Sequence, residues 1–262
     1  MKTARNRTRL LVALLALAFA GTARADGVWI GVEVEPGAAG GLRVKRVMQG
    51  SPGEKAHLQP GWEVLAVDGQ SVAKTEQLVR YVQSKAPGSV VRLTLAGSAG
   101  APPREVSVTL TARPDPASYQ RDTLVGKPAP DFTGETAAGP RIASLASLRG
   151  RVVLIDFWAT WCMPCMQALP SVEAMHQRLA KKGLTVIGVS GDPAALVTST
   201  ARRKHLSYSL VADPGEGIQA LYHVYAIPTA IVIDRAGVVR SIQVADVRGT
   251  ERIIEELLAA KP

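Results

Sequence analysis

Two cysteines three residues apart, placed just after an apolar run, constrain this sequence more than any other feature. The run Val152–Phe157 is apolar apart from Asp156, which is typical of a strand buried on both faces. A helix is predicted to start at or just after Cys162, and the unpaired N–H groups and dipole of a helix N-terminus favour a thiolate there. Cys165 lies one turn further along the same face, close enough to close a ring with Cys162. Pro164 lies in the first turn, where its missing N–H costs nothing.

The chain has no other cysteine, which narrows the alternatives for this pair. A structural disulfide spanning three residues would constrain the unfolded chain little. Zinc needs about four ligands, and the nearest candidate, His176, stands eleven residues beyond Cys165. Covalent haem attachment needs a histidine directly after the second cysteine, where this chain has Met166. We therefore expect redox chemistry at the two sulfurs, with no metal and no cofactor.

The ten residues from Asp156 to Cys165 resemble the active site of the thioredoxin superfamily, and three flanking segments resemble its periplasmic TlpA-like branch. The flanking segments are Gly126–Phe132, Val186–Ser190 and Ala226–Thr229. The resemblance runs from Leu124 to the C-terminus. It implies a thioredoxin-like α/β fold, with a central mixed sheet flanked by helices, that carries an N-terminal extension and an insertion. In this fold Cys162 matches the attacking cysteine and Cys165 the resolving one.

The same resemblance implies roles for further residues. Pro228 matches the proline whose preceding peptide bond is cis, and the backbone of Ile227 is then expected to pair with a substrate strand. Asp156 falls where thioredoxins keep a buried acid, and a carboxyl taken out of water has a raised pKa and can accept the proton of the resolving cysteine. Trp161 and Pro164 are expected to contact substrate.

The implied activity is thiol–disulfide exchange with protein substrates. The Cys162 thiolate attacks a substrate disulfide, and Cys165 then displaces the reduced substrate. Reduction is the direction we expect, with electrons restored by a membrane donor of the DsbD type. Three alternatives stay open: oxidation through the same cysteines, a thioredoxin-fold peroxidase, and a non-catalytic adaptor or chaperone. A peroxidatic cysteine follows a Pro-x-x-x-Thr pattern, which residues 155–161 lack.

The first half of the chain resembles the PDZ domain of HtrA-family proteases, through the segments Gly27–Val32, Gly50–Gly61 and Val64–Gly69. This resemblance implies an α+β barrel or sandwich in which a glycine-bearing loop and its following strand bind the C-terminal peptide of a partner. The implied peptide-binding residues are Trp29, Ile30, Gly31, Val32, Leu78 and Val82. His57 stands where the family has glycine and Trp62 where it has aspartate, and a domain that is only a spacer is the alternative.

A domain boundary is predicted at Arg113–Ser118, where two prolines within three residues precede small and polar side chains. This composition is expected neither to continue a strand nor to open a helix cleanly. The chain then divides into a signal peptide (1–25), a PDZ-like domain (26–112), a linker (113–123) and a thioredoxin-like domain (124–262).

Alternating and apolar patterns place strands and helices on both sides of this boundary. The last helix, Thr250–Ala260, carries an apolar stripe behind a Thr250 cap. The other predicted helices are Thr75–Ser84, Met163–Lys182 with Pro170 inside it, and Ala194–Lys204. The other predicted strands are Val28–Val34, Gly41–Val47, Val64–Val67, Val90–Leu95, Glu105–Leu110, Leu184–Val189 and the hairpin of Thr229–Ile233 with Val238–Val244.

The N-terminus has the three parts of an export signal. A basic stretch, Lys2–Arg9, precedes the apolar run Leu10–Ala20, and Ala23-Arg24-Ala25 offers a cleavage site. We expect cleavage after Ala25 and a periplasmic location, with an uncleaved anchor as the alternative. The 25-residue leader holds five basic residues and no acid, so the net charge of +9 falls to +4 without it (26 basic and 22 acidic residues remain). That small charge predicts no nucleic-acid partner.

Overall fold

The computed structural model describes residues 27–96 and 102–260. The predicted export signal (1–25) and residues 97–101, predicted as part of a loop, lie outside this range. Within the described residues no helix is both long and apolar enough to cross a membrane.

The first domain consists of eight short strands and two helices. They are β1 (Val28–Trp29), β2 (Val32–Pro36), β3 (Leu42–Val47), α1 (Pro52–Lys55), β4 (Glu63–Val67), β5 (Gln70–Ser71), α2 (Thr75–Gln83), β6 (Val90–Ala96), β7 (Arg104–Thr109) and β8 (Thr111–Ala112). The main sheet has the order β2-β3-β4-β6-β7, so that β2 lies at its edge. Helix α2 buries Leu78 and Val82 in the core of this domain. The predicted PDZ-like fold is confirmed.

The second domain alternates strands and helices around one mixed sheet. Its elements are α3 (Pro116–Leu124), β9 (Glu135–Ala138), β10 (Val152–Trp158), α4 (Met163–Leu179), β11 (Leu184–Ser190), α5 (Ala194–Lys204), β12 (Ser209–Ala212), α6 (Gly217–Leu221), β13 (Thr229–Ile233), β14 (Val239–Val244) and α7 (Glu251–Ala259). Short 3-10 turns occupy Ala146–Leu148, Ala180–Lys182 and Val247–Thr250. The strand order is β14-β13-β10-β11-β12-β9, which confirms the thioredoxin-like fold.

Strand β10 lies inside this sheet and every one of its residues is buried. It pairs in parallel with β11 and antiparallel with β13. Because side chains alternate along a strand, Val153 and Ile155 face one apolar cluster while Leu154 and Trp158 face the other. The second cluster also holds the inner face of α4 and both cysteines. This alternation decides which side chains meet at the cysteines.

The segment predicted as an irregular linker begins a helix, and that prediction was wrong. The Asp115 side chain accepts a hydrogen bond from the Ser118 N–H at 2.9 Å and caps α3. Pro116 occupies the first turn, where its fixed φ suits a helix and no N–H is needed. The prolines therefore open this helix.

Helix α3 contacts both domains through two neighbouring side chains. The Tyr119 hydroxyl donates to the Gln49 carbonyl at 3.0 Å, and its ring packs edge-on against Trp29 with centroids 5.6 Å apart. On its other side the Tyr119 ring lies 4.9 Å from the ring of His223 in the second domain. The Gln120 amide donates to the Tyr222 carbonyl at 2.9 Å. The segment between the domains is therefore a docked helix.

Two further details differ from the sequence-based expectation. Thr250 does not cap α7, because its own backbone is helical and its hydroxyl donates back to the Val247 carbonyl at 2.6 Å. The pattern also missed strands β9 and β12 and helix α6, which are all five residues or shorter. Segments of that length carry too little periodicity to be recognised.

Candidate active site

The two cysteines lie where β10 leads into α4. Cys162 is the N-terminal capping residue of α4, and its sulfur accepts a hydrogen bond from the Cys165 N–H at 3.2 Å. The two residues are joined by a disulfide, with their Cα atoms 5.2 Å apart. Pro164 lies in the first turn of α4. The site therefore offers Cys162 both a backbone N–H and the positive end of the helix dipole, which stabilise a thiolate.

Both cysteines are buried, and Cys162 is slightly the more exposed of the two. Its residue exposure is 5%, against 1% for Cys165. Trp161, beside Cys162, is 76% exposed and available to a partner. Trp158, by contrast, is buried in the same apolar cluster as the cysteines. Of the two tryptophans in this segment, one faces solvent and the other packs in the core.

Asp156 is 2% exposed, in the middle of the buried strand. Side-chain alternation places it on the face of Leu154 and Trp158, which line the cluster containing both cysteines. Its neighbours across the sheet are Gly188 and Ala230, which carry no polar side chain. Burial therefore raises the pKa of Asp156 to about 7. A carboxyl with such a pKa exchanges its proton readily at neutral pH.

The loop before the cysteines is held by a residue that sequence analysis missed. The Asp192 carboxylate accepts from the Thr160 N–H at 2.7 Å and from the Ser190 hydroxyl at 3.1 Å. Because these hydrogen bonds fix the backbone two residues before Cys162, they help to position the Cys162 sulfur. Asp192 follows β11 and is 32 residues from Thr160, and only the pairing of β10 with β11 brings the two together.

The proline loop lies at the start of β13, next to β10. The Ile227–Pro228 peptide bond is cis. The Thr229 hydroxyl donates to the Ala226 carbonyl at 2.7 Å and closes this turn. Ile227 is partly buried and packs against the cluster that contains both cysteines. The structure thus brings this loop to the same core as Cys162, Cys165 and Asp156.

The six residues predicted to bind peptide line one groove of about 400 Å³ in the first domain. They are Trp29, Ile30, Gly31, Val32, Leu78 and Val82. The groove runs between the edge strand β2 and helix α2, and the exposed side chain of Val79 also lines it. The Gly31 and Ile30 carbonyls accept from the N–H groups of Met48 and Gly53 at 2.8 and 2.7 Å, which hold the loop in place. His57, at the family's glycine position, has a left-handed φ of 56°.

No group of three His, Cys, Asp or Glu side chains is placed to hold a metal ion within residues 27–96 and 102–260. Apolar side chains surround the two cysteines, and the groove of the first domain is lined by apolar side chains together with Glu33, Thr75, Gln83 and Arg113.

A mixed sheet with a cysteine pair at the N-terminus of its helix and a cis-proline loop alongside defines a thioredoxin-like thiol–disulfide oxidoreductase. Residues 125–242 match the AhpC/TSA family, and residues 43–97 match the PDZ domain family.

The second half of the chain also matches curated relatives. The thioredoxin-like protein YneN of Bacillus subtilis is 35% identical over 137 residues, which cover 51% of this chain and 78% of the relative. The thiol-disulfide oxidoreductase ResA of Geobacillus thermodenitrificans is 32% identical over 139 residues, which cover 53% and 79%. A solved structure of a thiol:disulfide interchange protein from Chlorobium tepidum is 28% identical with a TM-score of 0.45, covering 51% of this chain and 97% of that one. The chain belongs to the family of thioredoxin-like thiol–disulfide oxidoreductases.

The buried carboxyl predicts an unusual dependence of stability on pH. The pKa of Asp156 is about 7 in the folded chain, above its ordinary 3.8, so the folded state keeps a proton that the unfolded state releases. Stability therefore falls as pH rises from about 4 to about 7. Asp156→Asn cannot ionise, and we expect its free energy of unfolding to match the wild type near pH 4 and to exceed it by about 4 kcal/mol above pH 7.

Urea unfolding at a series of pH values measures this difference. Asp234→Asn is the matched control of opposite sign. Burial by itself would raise the pKa of Asp234, but hydrogen bonds from the Val238 N–H and Arg240 hold this pKa below its ordinary value. That variant should therefore lose stability at neutral pH and regain parity in acid. An Asp156→Asn curve parallel to the wild type at all pH values would show that Asp156 is not buried as described.

Proposed function

We propose that this protein is exported and reduces protein disulfides in the periplasm, and that its PDZ-like domain captures the C-terminal tail of a partner. The observation that carries the proposal is the cysteine pair at the start of α4 above a buried, protonatable Asp156. In the first step of the proposed reaction, the Cys162 thiolate attacks one sulfur of a substrate disulfide. A bond forms between Cys162 and that sulfur, and the other substrate sulfur leaves as a thiolate.

In the second step Cys165 attacks the sulfur of Cys162. Its thiol proton passes to the Asp156 carboxylate, the Cys162–Cys165 disulfide forms, and the remaining substrate sulfur leaves as a thiolate. The substrate gains two electrons and the protein loses two. Cys165 is almost fully buried, so water has little access to accept that proton, and Asp156 is the acceptor that the buried face supplies.

The surroundings of the disulfide support reduction as the direction. Cys162 and Cys165 lie in a cluster of apolar side chains. The N-terminus of α4 stabilises a thiolate at Cys162 alone, whereas a thiolate at the buried Cys165 would lose its hydration, and the disulfide carries no charge. The oxidised form of the protein is therefore favoured over the reduced form, and a dithiol with this preference gives up its electrons.

We expect the reduction potential of the cysteine pair to lie nearer about −270 mV, the value of thioredoxin, than about −120 mV, the value of the oxidant DsbA. Equilibration with glutathione or dithiothreitol buffers, followed by alkylation of the free thiols, measures it. A value near about −120 mV would assign the protein to substrate oxidation.

Cys162→Ser should lose insulin reduction, whereas the adaptor alternative predicts no change. Turnover of hydrogen peroxide faster than of insulin would favour the peroxidase.

The groove of the first domain supports capture of a peptide. Strand β2 is an edge strand, and its free side faces α2 across the groove, so an extended peptide can add to the sheet there. Helix α3 binds both domains through Tyr119 and Gln120. A partner held in the groove therefore stays at a limited distance from Cys162, which raises its local concentration.

Val79→Lys tests this recruitment, because Val79 is 51% exposed within the groove and a lysine there should block apolar side chains without unfolding the domain. In a Cys165→Ser background, which stops the second step and keeps partners attached to Cys162, we expect Val79→Lys to lose a defined set of trapped proteins. Val90→Lys is the matched control, because Val90 is 58% exposed in the same domain but does not line the groove. Identical trapped sets from both variants would leave the domain as a spacer.

Export and electron supply complete the proposal. The basic and apolar leader with Ala23-Arg24-Ala25 supports cleavage by a signal peptidase. The mature protein should then begin at Asp26, and N-terminal sequencing of the periplasmic fraction checks this; retention of Met1 would support the anchor. A DsbD-type membrane donor would return electrons, so thiol trapping should find Cys162 and Cys165 oxidised in cells without such a donor and reduced in cells with it.

A further inference from the structure

Four buried side-chain polar atoms lack a hydrogen-bond partner within the described part of the chain, and they surround one place. They are Asp156 Oδ1, Trp158 Nε1, His176 Nδ1 and the Tyr208 hydroxyl. Buried polar atoms of native proteins are almost always hydrogen-bonded, either to protein or to ordered water. Their concentration on the α4 face of the sheet therefore points to a shared hydrogen-bonded path.

The centre of this group is shaped by Gly188, which lies opposite Asp156 on β11. A Cβ atom at Gly188 would lie 2.5 Å from Leu210 Cδ2, 3.0 Å from Trp158 Nε1 and 3.2 Å from the Tyr208 ring. Leu210, the indole N–H and the phenol ring therefore share the space beside Asp156 that a side chain on β11 would fill. Tyr208 is completely buried, and Asp156 is one of the two carboxylates that act on it electrostatically.

Of the four polar atoms, the one on His176 lies nearest the protein surface, on helix α4. The His176 ring lies 5.9 Å from the Tyr208 ring and is only half-buried. Glu173, the second carboxylate that acts on Tyr208, accepts from the Ser207 N–H at 2.8 Å and from the Ser207 hydroxyl at 2.5 Å. Tyr208 thus lies between the carboxyl of Asp156 and the half-buried ring of His176.

Burial and the neighbouring charges keep the Tyr208 hydroxyl protonated, so that it can donate a hydrogen bond. Burial, and then the carboxylates of Asp156 and Glu173, hold the pKa of Tyr208 well above its ordinary value, so the phenol stays protonated. Tyr208, just before β12, interacts electrostatically with Asp156, and the two cysteines of α4 lie in the cluster on the same face of the sheet. Gly188 on β11 and Ala230 on β13, the neighbours of Asp156 across the sheet, carry no titratable group.

We propose that Tyr208 and His176, joined by ordered water, carry the proton that Asp156 receives from Cys165 out to solvent beside α4. The inference rests on the proposed role of Asp156 in the second step. Asp156 gives its proton to the hydrogen-bonded chain, Tyr208 passes its own hydroxyl proton toward His176 and is reprotonated from the Asp156 side, and the imidazole releases a proton to water. No electrons move in this step, and Asp156 returns to its carboxylate form while substrate still covers Cys162. Tyr208 and His176 are thus positioning residues that act through Asp156.

Tyr208→Phe in the full chain tests the path, because it removes one oxygen and keeps the ring. The measurement is the rate of the second step from pH 5 to 9, read as release of reduced substrate from a preformed mixed disulfide at Cys162. Loss of the hydroxyl removes the donor that the proposed water-mediated path gives the Asp156 carboxylate, so the acid limb of the profile should move to higher pH. We expect the rate at pH 6.5 to fall about fivefold, the effect of one hydrogen bond.

His176→Asn should slow the same step. In the infrared spectrum of Tyr208→Phe, the carbonyl stretch of protonated Asp156 should shift.

Tyr222→Phe is the matched control, because Tyr222 is also a fully buried tyrosine of this domain but lies on the opposite face of the sheet, where its hydroxyl donates to the Pro130 carbonyl at 2.6 Å. Its pH profile and the Asp156 carbonyl stretch should match the wild type.

Asp156→Asn separates the two proposals. If it leaves the second step unchanged, the role of Asp156 fails and the path fails with it. If it slows the step while Tyr208→Phe and His176→Asn behave as wild type, only the path is overturned. Should Tyr208→Phe not fold, His176→Asn decides the question alone.

Discussion

The site depends on the burial of an ionisable group in the centre of a sheet. Strand β10 is covered on both faces and paired on both sides, so Asp156 is shielded from bulk solvent and has no charged neighbour across the sheet to stabilise its carboxylate. Its raised pKa follows from that isolation. The same alternation that points Asp156 inward brings it to the cluster of Cys162 and Cys165. The proposed role of Asp156 as proton acceptor for Cys165 depends on this burial, which lowers the stability of the folded chain at neutral pH.

Helix α4 supplies the opposite electrostatic condition a few residues away. Its N-terminus offers Cys162 a backbone N–H and the positive end of a dipole, while the body of the helix covers Cys165 with apolar side chains. Two sulfurs three residues apart therefore have different environments. Asp192 holds the loop between β10 and α4, so that this difference is built into a fixed backbone.

The two domains are joined by an ordered element. Neighbouring residues of α3 reach opposite ways, Tyr119 to the first domain and Gln120 to the second. Trp29, which lines the groove of the first domain, packs on Tyr119, which packs in turn on His223 of the second domain. The two domains are thus connected through aromatic contacts as well as through the chain. Prolines that read as breakers in the sequence are the first turn of this connection, because a proline at a helix start needs no partner for its nitrogen.

Local pattern by itself determined the elements that carry the chemistry. The apolar run of β10 and the spacing of Cys162 and Cys165 are contiguous, and strand and helix periodicity places them. The role expected of Asp156 came from the resemblance to the thioredoxin superfamily. Tertiary structure decided what depends on residues far apart along the chain. Asp192 reaches Thr160, and Tyr208 stands beside Trp158, only because β10, β11 and β12 are neighbours in the sheet. No single-residue pattern records strand order, since order is set by how whole faces are buried together.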